Sequence, residues 1–136
     1  MAEYYGGEGY LSVWLGDCEK EELFVEYIKF RGTDDGTRCG FYLGEDFGIM
    51  YYDDDCSLVN YLDEKTNDLN LLLDTGAPDY VIDEYKKLIG SKLERKYNCC
   101  VMFYEMKYPG EMLKTIESKY GVFTFIGSIE ADVMDV

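Results

Sequence analysis

Apolar and polar positions alternate near the start of the chain and predict a first strand. Every second side chain of residues 10–15 falls on the same side of an extended backbone, which separates Ser12 and Trp14 from their aliphatic neighbours. Gly16 is expected to end this strand, and Asp17 is a plausible N-cap for a helix that follows. The single tryptophan, Trp14, is expected to lie in the core.

Two segments have the spacing of amphipathic helices. In residues 18–30, Leu23, Tyr27 and Phe30 form one stripe, and the acidic residues of the first turn suit the positive end of the helix dipole. Pro78 and Asp79 open the second helix. Its apolar positions recur at helical spacing: Val81, Ile82, Tyr85, Leu88, Ile89 and Leu93. Gly90, which lies within this pattern, is expected to end or kink the helix.

Further strands are predicted in the second half of the chain. Residues 99–104 are nearly all apolar, which is typical of a central strand buried on both faces and would point the adjacent Cys99 and Cys100 to opposite faces. Residues 121–129 alternate and predict the last strand. The aromatic residues 47–52 favour a short strand, whereas residues 69–73 fit a strand or a helical turn equally well.

These elements predict one α+β domain. A mainly antiparallel sheet of about four strands would pack against about two helices. The chain of 136 residues has the length of a single domain and shows no internal repeat or linker. We therefore expect residues 1–136 to form one unit, with a core of about residues 10–130.

The charge of the chain restricts its partners. The formal net charge is −15, from 28 acidic and 13 basic residues. Such a charge opposes binding to nucleic acid or to an anionic membrane and suits a basic protein partner. Between Gly40 and Glu84, 12 acidic residues accompany one basic residue, Lys65. The acidic middle of the chain is therefore the expected place for a partner surface.

Several classes of enzyme and cofactor are excluded by composition. Without histidine the chain has no Ser-His-Asp triad, Cys-His dyad or histidine metal ligand. Its five cysteines lack metal-ligand spacing and fit reduced thiols in the cytoplasm. The N-terminus lacks the pattern of a signal peptide, and no apolar run approaches the roughly 20 residues that span a bilayer. We expect no enzyme activity, no cofactor and no metal.

One acidic and aromatic segment, residues 45–55, allows three interpretations. Counted from Asp53, a calcium loop would use Asp53, Asp55, Ser57 and Glu64, but Leu58 stands where such a loop needs glycine. A carboxylate pair for acid and base chemistry is a weak signal among 28 acids. The third interpretation is a surface that binds a protein partner through carboxylates and tyrosines. Its candidate residues are Glu45, Asp46, Tyr51, Tyr52, Asp53, Asp54, Asp55, Asp63 and Glu64.

Four motifs in order carry a resemblance to a known family. The first is Ser12-Val13-Trp14-Leu15-Gly16, in which Ser12, Trp14 and Gly16 form a Ser-x-Trp-x-Gly pattern, followed by an acidic helix with Glu21-Glu22-Leu23 and Glu26-Tyr27. The others are Glu45-Asp46-Phe47-Gly48-Ile49 with Tyr51-Tyr52-Asp53-Asp54-Asp55, and Phe125-Ile126-Gly127-Ser128. Over about residues 10–130 the chain resembles the immunity protein 22 family of bacterial polymorphic toxin systems.

The resemblance implies an α+β protein that is encoded beside a toxin and protects the producing cell by binding that toxin. It implies no catalytic residues and does not identify the toxin. A basic nuclease would suit an inhibitor of this charge, because complementary charge accelerates association. One alternative is a scaffold or housekeeping domain that binds another protein. The other is a carboxylate-based enzyme. The oligomeric state stays open.

Overall fold

The computed structural model of the chain describes residues 6–29, 31–32, 39–49, 57–75, 79–90 and 92–130. The strands are β1 (Gly6–Asp17), β2 (Arg31–Gly32), β3 (Cys39–Gly40), β4 (Ser57–Asp68), β5 (Lys92–Met106), β6 (Thr115–Ser118) and β7 (Gly121–Glu130). The helices are α1 (Glu21–Ile28), α2 (Tyr42–Phe47), α3 (Leu69–Leu72) and α4 (Asp79–Ile89). None of these described helices is both long and apolar enough to cross a membrane.

One open antiparallel sheet organises the molecule. Its strands lie in the order β4-β5-β1-β7-β6, and β2 and β3 form a separate two-stranded ladder. The α+β class and the antiparallel sheet are confirmed, with five strands in place of about four. β5 lies between β4 and β1, and residues 99–104 are buried throughout, as their continuous apolar sequence predicts.

Each face of the sheet carries its own core. The first core contains Leu11 and Val13 of β1 together with the buried residues of α3 and α4. The second contains Trp14 and the buried residues of α1 and α2. Because successive strand residues point to opposite faces, Cys100 belongs to the first core and Cys99 to the second. The helices therefore form two layers with the sheet between them.

The second predicted helix is confirmed as α4, but Leu93, which the sequence pattern assigned to its apolar face, lies in β5. Its buried residues Val81 and Tyr85 lie one turn apart on the face that meets the first core. The Tyr85 hydroxyl donates to the carbonyl of Gly127 at 2.8 Å, so the phenol tip is satisfied inside the core. Gly90 follows the helix with a φ of 86° and ends it, as glycine does at a helix C-terminus.

The start of the first helix was predicted wrongly. α1 begins at Glu21, and its N-cap is Lys20, which makes no side-chain cap hydrogen bond. Asp17 lies inside β1, where it pairs with Val122 of β7. Gly16 does not end the strand, because its backbone continues the ladders to both neighbouring strands.

The predicted strand over residues 47–52 is also wrong where it is described. Tyr42–Phe47 forms α2, and Gly48 ends it in the left-handed conformation with a φ of 79°. Residues 50–52 lie outside the described residues. The ambiguous residues 69–73 form the short helix α3, in which Asp68 caps the amide of Asn70. The sequence pattern missed β2 and β3, which have two residues each, and also β4 and β6, whose sequences mix polar and apolar residues.

The Ser-x-Trp-x-Gly pattern serves the packing of β1. The Ser12 hydroxyl donates to the carbonyl of Met106 at 2.8 Å and accepts from the amide of Tyr108 at 3.0 Å, which ties down the chain after β5. Trp14 is fully buried and touches four aromatic rings, so its predicted place in the core is confirmed: Phe47, Phe103, Tyr108 and Phe125.

Gly16 allows the second core to close over the sheet. A Cβ atom at this position would lie 2.4 Å from Cε2 of Phe123 and 2.7 Å from Sγ of Cys99. The Phe123 ring stacks on Phe24 and Tyr27 of α1, with centroid distances of 6.3 and 4.3 Å. The missing side chain therefore makes room for the ring that supports α1.

We predict that Gly16→Ala lowers the free energy of unfolding by about 1–3 kcal/mol, the usual cost of overpacking. Urea denaturation measures this change. The same substitution in a Phe123→Leu background should cost less, because the ring atoms nearest to the new methyl are gone. Equal costs in the two backgrounds would show that Phe123 does not set the requirement for glycine.

Candidate partner-binding surface

Asp63 and Glu64 lie on an outward bulge of β4, and both are exposed. The ladder between β4 and β5 is regular up to the pair of Tyr61 with Cys99, and the next described pair is Thr66 with Tyr97. Five steps along β4 therefore oppose two steps along β5. The three extra residues push the segment Asp63-Glu64-Lys65 out of the ladder, where its charged side chains meet solvent.

A second irregularity follows and reverses the first. From Thr66 to Asp68 the chain advances two residues, while the partner positions advance five, from Tyr97 to Lys92. The original register is therefore restored at the pair of Asp68 with Lys92. The bulge is a local feature and does not displace the strand as a whole.

An ion-pair cluster attaches the bulge to the end of the sheet. Lys65 Nζ lies 2.8 Å from Asp17 Oδ1 and 3.7 Å from Glu19 Oε1, and Arg95 Nη2 lies 2.9 Å from Asp17 Oδ2. The side chain of Asp17 is only 16% exposed, so its carboxylate contacts both cations while it is largely shielded from solvent. Asp17 thus joins β1, β4 and β5 instead of capping α1.

The cluster shifts the ionisation of its members. Partial burial raises the pKa of Asp17, but the hydrogen bonds and positive charges of Lys65 and Arg95 outweigh this and hold the pKa below its ordinary value of 3.8. The hydrogen bond to Asp17 raises the pKa of Lys65. The pair is therefore charged at neutral pH.

The bulge meets the start of α1 beside Tyr61. The Tyr61 ring stacks on Phe24 at a centroid distance of 6.1 Å. Desolvation by burial, followed by the Cys99 and Cys18 thiols and the carboxylates of Asp63 and Glu21, raises the pKa of Tyr61. The structure thereby brings Asp63, with Glu64 next to it in the bulge, near two exposed acids of α1 and the loop before it. We call this group the β4–α1 acidic surface: Glu19, Glu21, Asp63 and Glu64.

Sequence reasoning missed the contribution of Glu19 and Glu21. In the sequence, these two residues lie at the start of the first predicted helix, where acidic side chains interact favourably with the helix dipole. That interaction alone was enough to account for them. The signal that they belong with Asp63 lies in contacts of the α1 segment with β4, namely the Lys65–Glu19 ion pair and the stacking of Phe24 on Tyr61, which no pattern within the α1 segment reveals.

Glu45 and Asp46 lie on α2, and the two have different environments. Glu45 is exposed, whereas Asp46 is half-buried and accepts a hydrogen bond of 2.7 Å from the Tyr27 hydroxyl. Burial, the hydrogen bond to Asp46 and the Asp46 charge raise the pKa of Tyr27. Asp46 therefore holds α1 to α2. The other predicted site residues, Tyr51, Tyr52, Asp53, Asp54 and Asp55, lie outside the described residues.

The described part of the calcium-loop interpretation does not fit the structure. Ser57 and Glu64 lie in one strand, where seven residues span roughly 20 Å, instead of facing one ion from a compact loop. Within the described residues, no cluster of three or more Cys, Asp and Glu side chains could hold a metal ion.

Cys18, Cys99 and Cys100 are buried thiols. Cys99 Sγ lies 3.8 Å from Cys18 Sγ, and burial followed by this hydrogen bond raises the pKa of Cys99. Burial also raises the pKa of Cys100. The thiols of Cys99 and Cys100 therefore stay protonated at neutral pH and are poor nucleophiles.

An open cleft of about 620 Å³ lies beside the first core. Its hydroxyl groups bond to one another: the Tyr97 hydroxyl donates to Thr124 Oγ1 at 3.0 Å, and Thr124 Oγ1 lies 2.8 Å from Thr115 Oγ1. Its walls come mainly from the end of α4 and from the adjoining strands: Leu15, Leu88, Ile89, Leu93, Leu113 and Ile126. The cleft thus combines an apolar surface and hydrogen-bonded hydroxyls with two charged side chains, Glu94 and Arg95.

Comparison with known proteins supports the resemblance found in the sequence. A family model described as Immunity protein 22 matches residues 11–132, nearly the whole chain. No curated protein and no solved structure matches the chain. The predicted family is confirmed, and the four sequence motifs lie within the matched residues.

We predict that Asp17→Asn lowers the free energy of unfolding by about 1 kcal/mol near neutral pH. The folded pKa of Asp17 is depressed, so its contribution is present above the unfolded value near 3.8 and is lost as the pH falls through the folded pKa. The difference between the variant and the parent chain should therefore shrink below about pH 4. Urea denaturation across this pH range measures it.

A matched control for Asp17→Asn is Glu84→Gln. Glu84 pairs with Lys87 at 3.2 Å, but both side chains are well exposed. Its removal should change stability by less than about 0.5 kcal/mol. A cost for Asp17→Asn that stays constant down to the lowest pH would contradict the assigned ion pairs.

Proposed function

The chain belongs to the immunity protein 22 family, and from this premise we propose that it is a cytoplasmic immunity protein that binds and neutralises a cognate toxin domain without catalysing a reaction. The family supports a toxin-neutralising role. The observation that carries the proposal is the match over residues 11–132, which includes both cores and the β4–α1 acidic surface.

The charge of the chain supports a basic toxin, for example a nuclease. A nuclease needs a positive surface to hold the phosphates of its substrate. A protein with a net charge of −15 is attracted to that surface over distances of several ångströms, and the attraction raises the association rate. Bound there, the inhibitor would block the substrate by occupying its site.

We assign the contact first to the β4–α1 acidic surface. Its carboxylates project from a bulge and a helix start that the Asp17 ion pairs hold to the sheet, so they lose little conformational freedom on binding. Carboxylates can accept paired hydrogen bonds from arginine. Glu45 and residues 51–55 would extend the contact, while Asp46 supports it through Tyr27.

Co-expression tests the proposed function directly. The chain would be produced with the C-terminal domain of the large protein encoded just upstream of it. We expect cells to survive and the two proteins to purify together, because a tight complex removes the toxin. Death of the cells without a complex would contradict the proposal and would favour a scaffold role.

We predict that reversing the charges on the bulge, with Asp63→Lys and Glu64→Lys, slows association by about tenfold at low salt and reduces its salt dependence. Stopped-flow mixing with the same toxin domain measures the rate. The matched control is Asp74→Lys with Asp83→Lys, which makes the same charge change at exposed positions associated with α3 and α4.

The control separates the local surface from the total charge. If both pairs of substitutions slow association equally, only the net charge matters and the assignment of the surface is wrong. The triple change of Asp53, Asp54 and Asp55 to lysine tests the preceding segment in the same way. An unchanged rate for that variant would remove these three residues from the proposed contact.

A further inference from the structure

The open cleft beside the first core is bordered by apolar side chains that also face solvent. Leu88 and Leu113 line it and are 44% and 55% exposed. Met112 is 41% exposed and approaches Leu88 over Gly127, where an added Cβ atom would lie 3.2 Å from Met112 Sδ and 3.5 Å from Leu88 Cδ1. These are three of the seven large apolar side chains that are exposed among the described residues, so exposed apolar surface is concentrated at the cleft.

The backbone holds Leu113 in a conformation that leucine rarely adopts. Its φ of 69° lies in the left-handed region, which is unusual for a residue with a large side chain. The Leu113 amide donates to the carbonyl of Phe125 at 2.6 Å, and the Phe125 amide donates to the carbonyl of Lys114 at 3.0 Å. These bonds to β7 keep an exposed leucine at the cleft against its backbone preference, which points to a contact outside the chain.

The cleft adjoins the β4–α1 acidic surface through Arg95. Arg95 lines the cleft and also a smaller hollow of about 260 Å³, and Glu19 of the β4–α1 acidic surface lines that hollow as well. Asp17 binds both Arg95 and Lys65 of the bulge. A single partner can therefore contact the cleft and the acidic surface together.

The charged side chains that line the cleft balance each other. Among the described residues they are Glu94 and Arg95, and Arg95 is bound to Asp17 at 2.9 Å. The lining thus carries no net charge and suits uncharged apolar side chains, whereas the adjoining acidic surface suits basic ones. An apolar centre with charged side chains around it is the usual composition of a protein interface.

We propose that the cleft receives the apolar side chains of one segment of the toxin domain, and that lysine or arginine residues of this segment bind Glu19 on the β4–α1 acidic surface. The inference rests on the proposed function and specifies what the partner carries. Large side chains that fill a cleft at the centre of an interface contribute most of the binding energy, and the surrounding charges supply specificity.

Charge distinguishes the toxin from a second copy of the chain. Pairing of two copies through their clefts would bring together two molecules that each carry a net charge of −15, with an acidic surface beside each cleft. Such like charges repel each other. A basic toxin replaces this repulsion with attraction, to which the apolar contact in the cleft then adds.

Leu113→Asn tests the proposal in the full chain. Asparagine adopts a left-handed backbone more readily than leucine, so this variant should fold at least as stably as the parent chain, which thermal unfolding checks. Loss of the apolar side chain should weaken binding of the upstream-encoded toxin domain by about tenfold, as measured by calorimetry. The matched control is Leu71→Asn on α3, since Leu71 is 50% exposed and does not line the cleft, and its effect should stay below about threefold.

Heat capacity and salt dependence separate the two parts of the contact. Burial of apolar surface makes the heat-capacity change of binding negative, so Leu113→Asn should make it less negative and leave the salt dependence of the affinity unchanged. Glu19→Gln should reduce the salt dependence and leave the heat-capacity change unchanged. Leu88→Ala supplies a second change in the cleft, because alanine favours a helix, and should act like Leu113→Asn.

The outcomes distinguish this inference from the proposed function. Equal losses of affinity for the asparagine changes at positions 113 and 71, or full affinity for the changes at both 113 and 88, would overturn the inference and leave the immunity function intact. A dimer of the free chain that Leu113→Asn dissociates would also overturn it. The absence of any complex between the parent chain and the toxin domain would overturn both.

Discussion

Burial of both faces of the central strands is the constraint on which the rest of the structure depends. β1 and β5 contribute alternate residues to two separate cores. A register shift of one residue in either strand would therefore move the side chains of that strand from each core to the other. Trp14 makes such a shift especially costly, because its ring is enclosed by aromatic neighbours on one face only. The register of the sheet is therefore fixed from two sides.

This double burial explains which elements could be predicted from the sequence. The continuous apolar run of residues 99–104 and the period of α4 reflect contacts that bury whole faces, so the pattern alone identifies them. β4 lies at an edge and mixes polar with apolar positions, which hides its strand period. Asp17 was misassigned because an aspartate before a helix usually caps it, while the cations that it binds come from distant strands.

The candidate site was only partly predictable for the same reason. Asp63 and Glu64 were recognised as acidic residues in an acidic region, but their projection depends on a bulge that no local pattern encodes. Glu19 and Glu21 become their neighbours through strand pairing between distant segments. Asp46 has the charge expected of a surface contact, but its carboxylate accepts a hydrogen bond from Tyr27 and thereby joins α1 to α2. The composition indicates an acidic surface, whereas tertiary contacts between distant segments determine which acidic residues form it.

The two opposite irregularities between β4 and β5 have a consequence for how such a protein can diversify. Because the excess of residues in one strand is offset by the excess in the other, the pairs on either side share a single frame. Asp63 and Glu64, the exposed acids of the bulge, can therefore be replaced without moving Tyr61 or Asp68 relative to the cores, provided that the number of residues in the bulge stays the same. The fold thus separates a segment whose side chains can change without repacking from the segments whose packing both cores require.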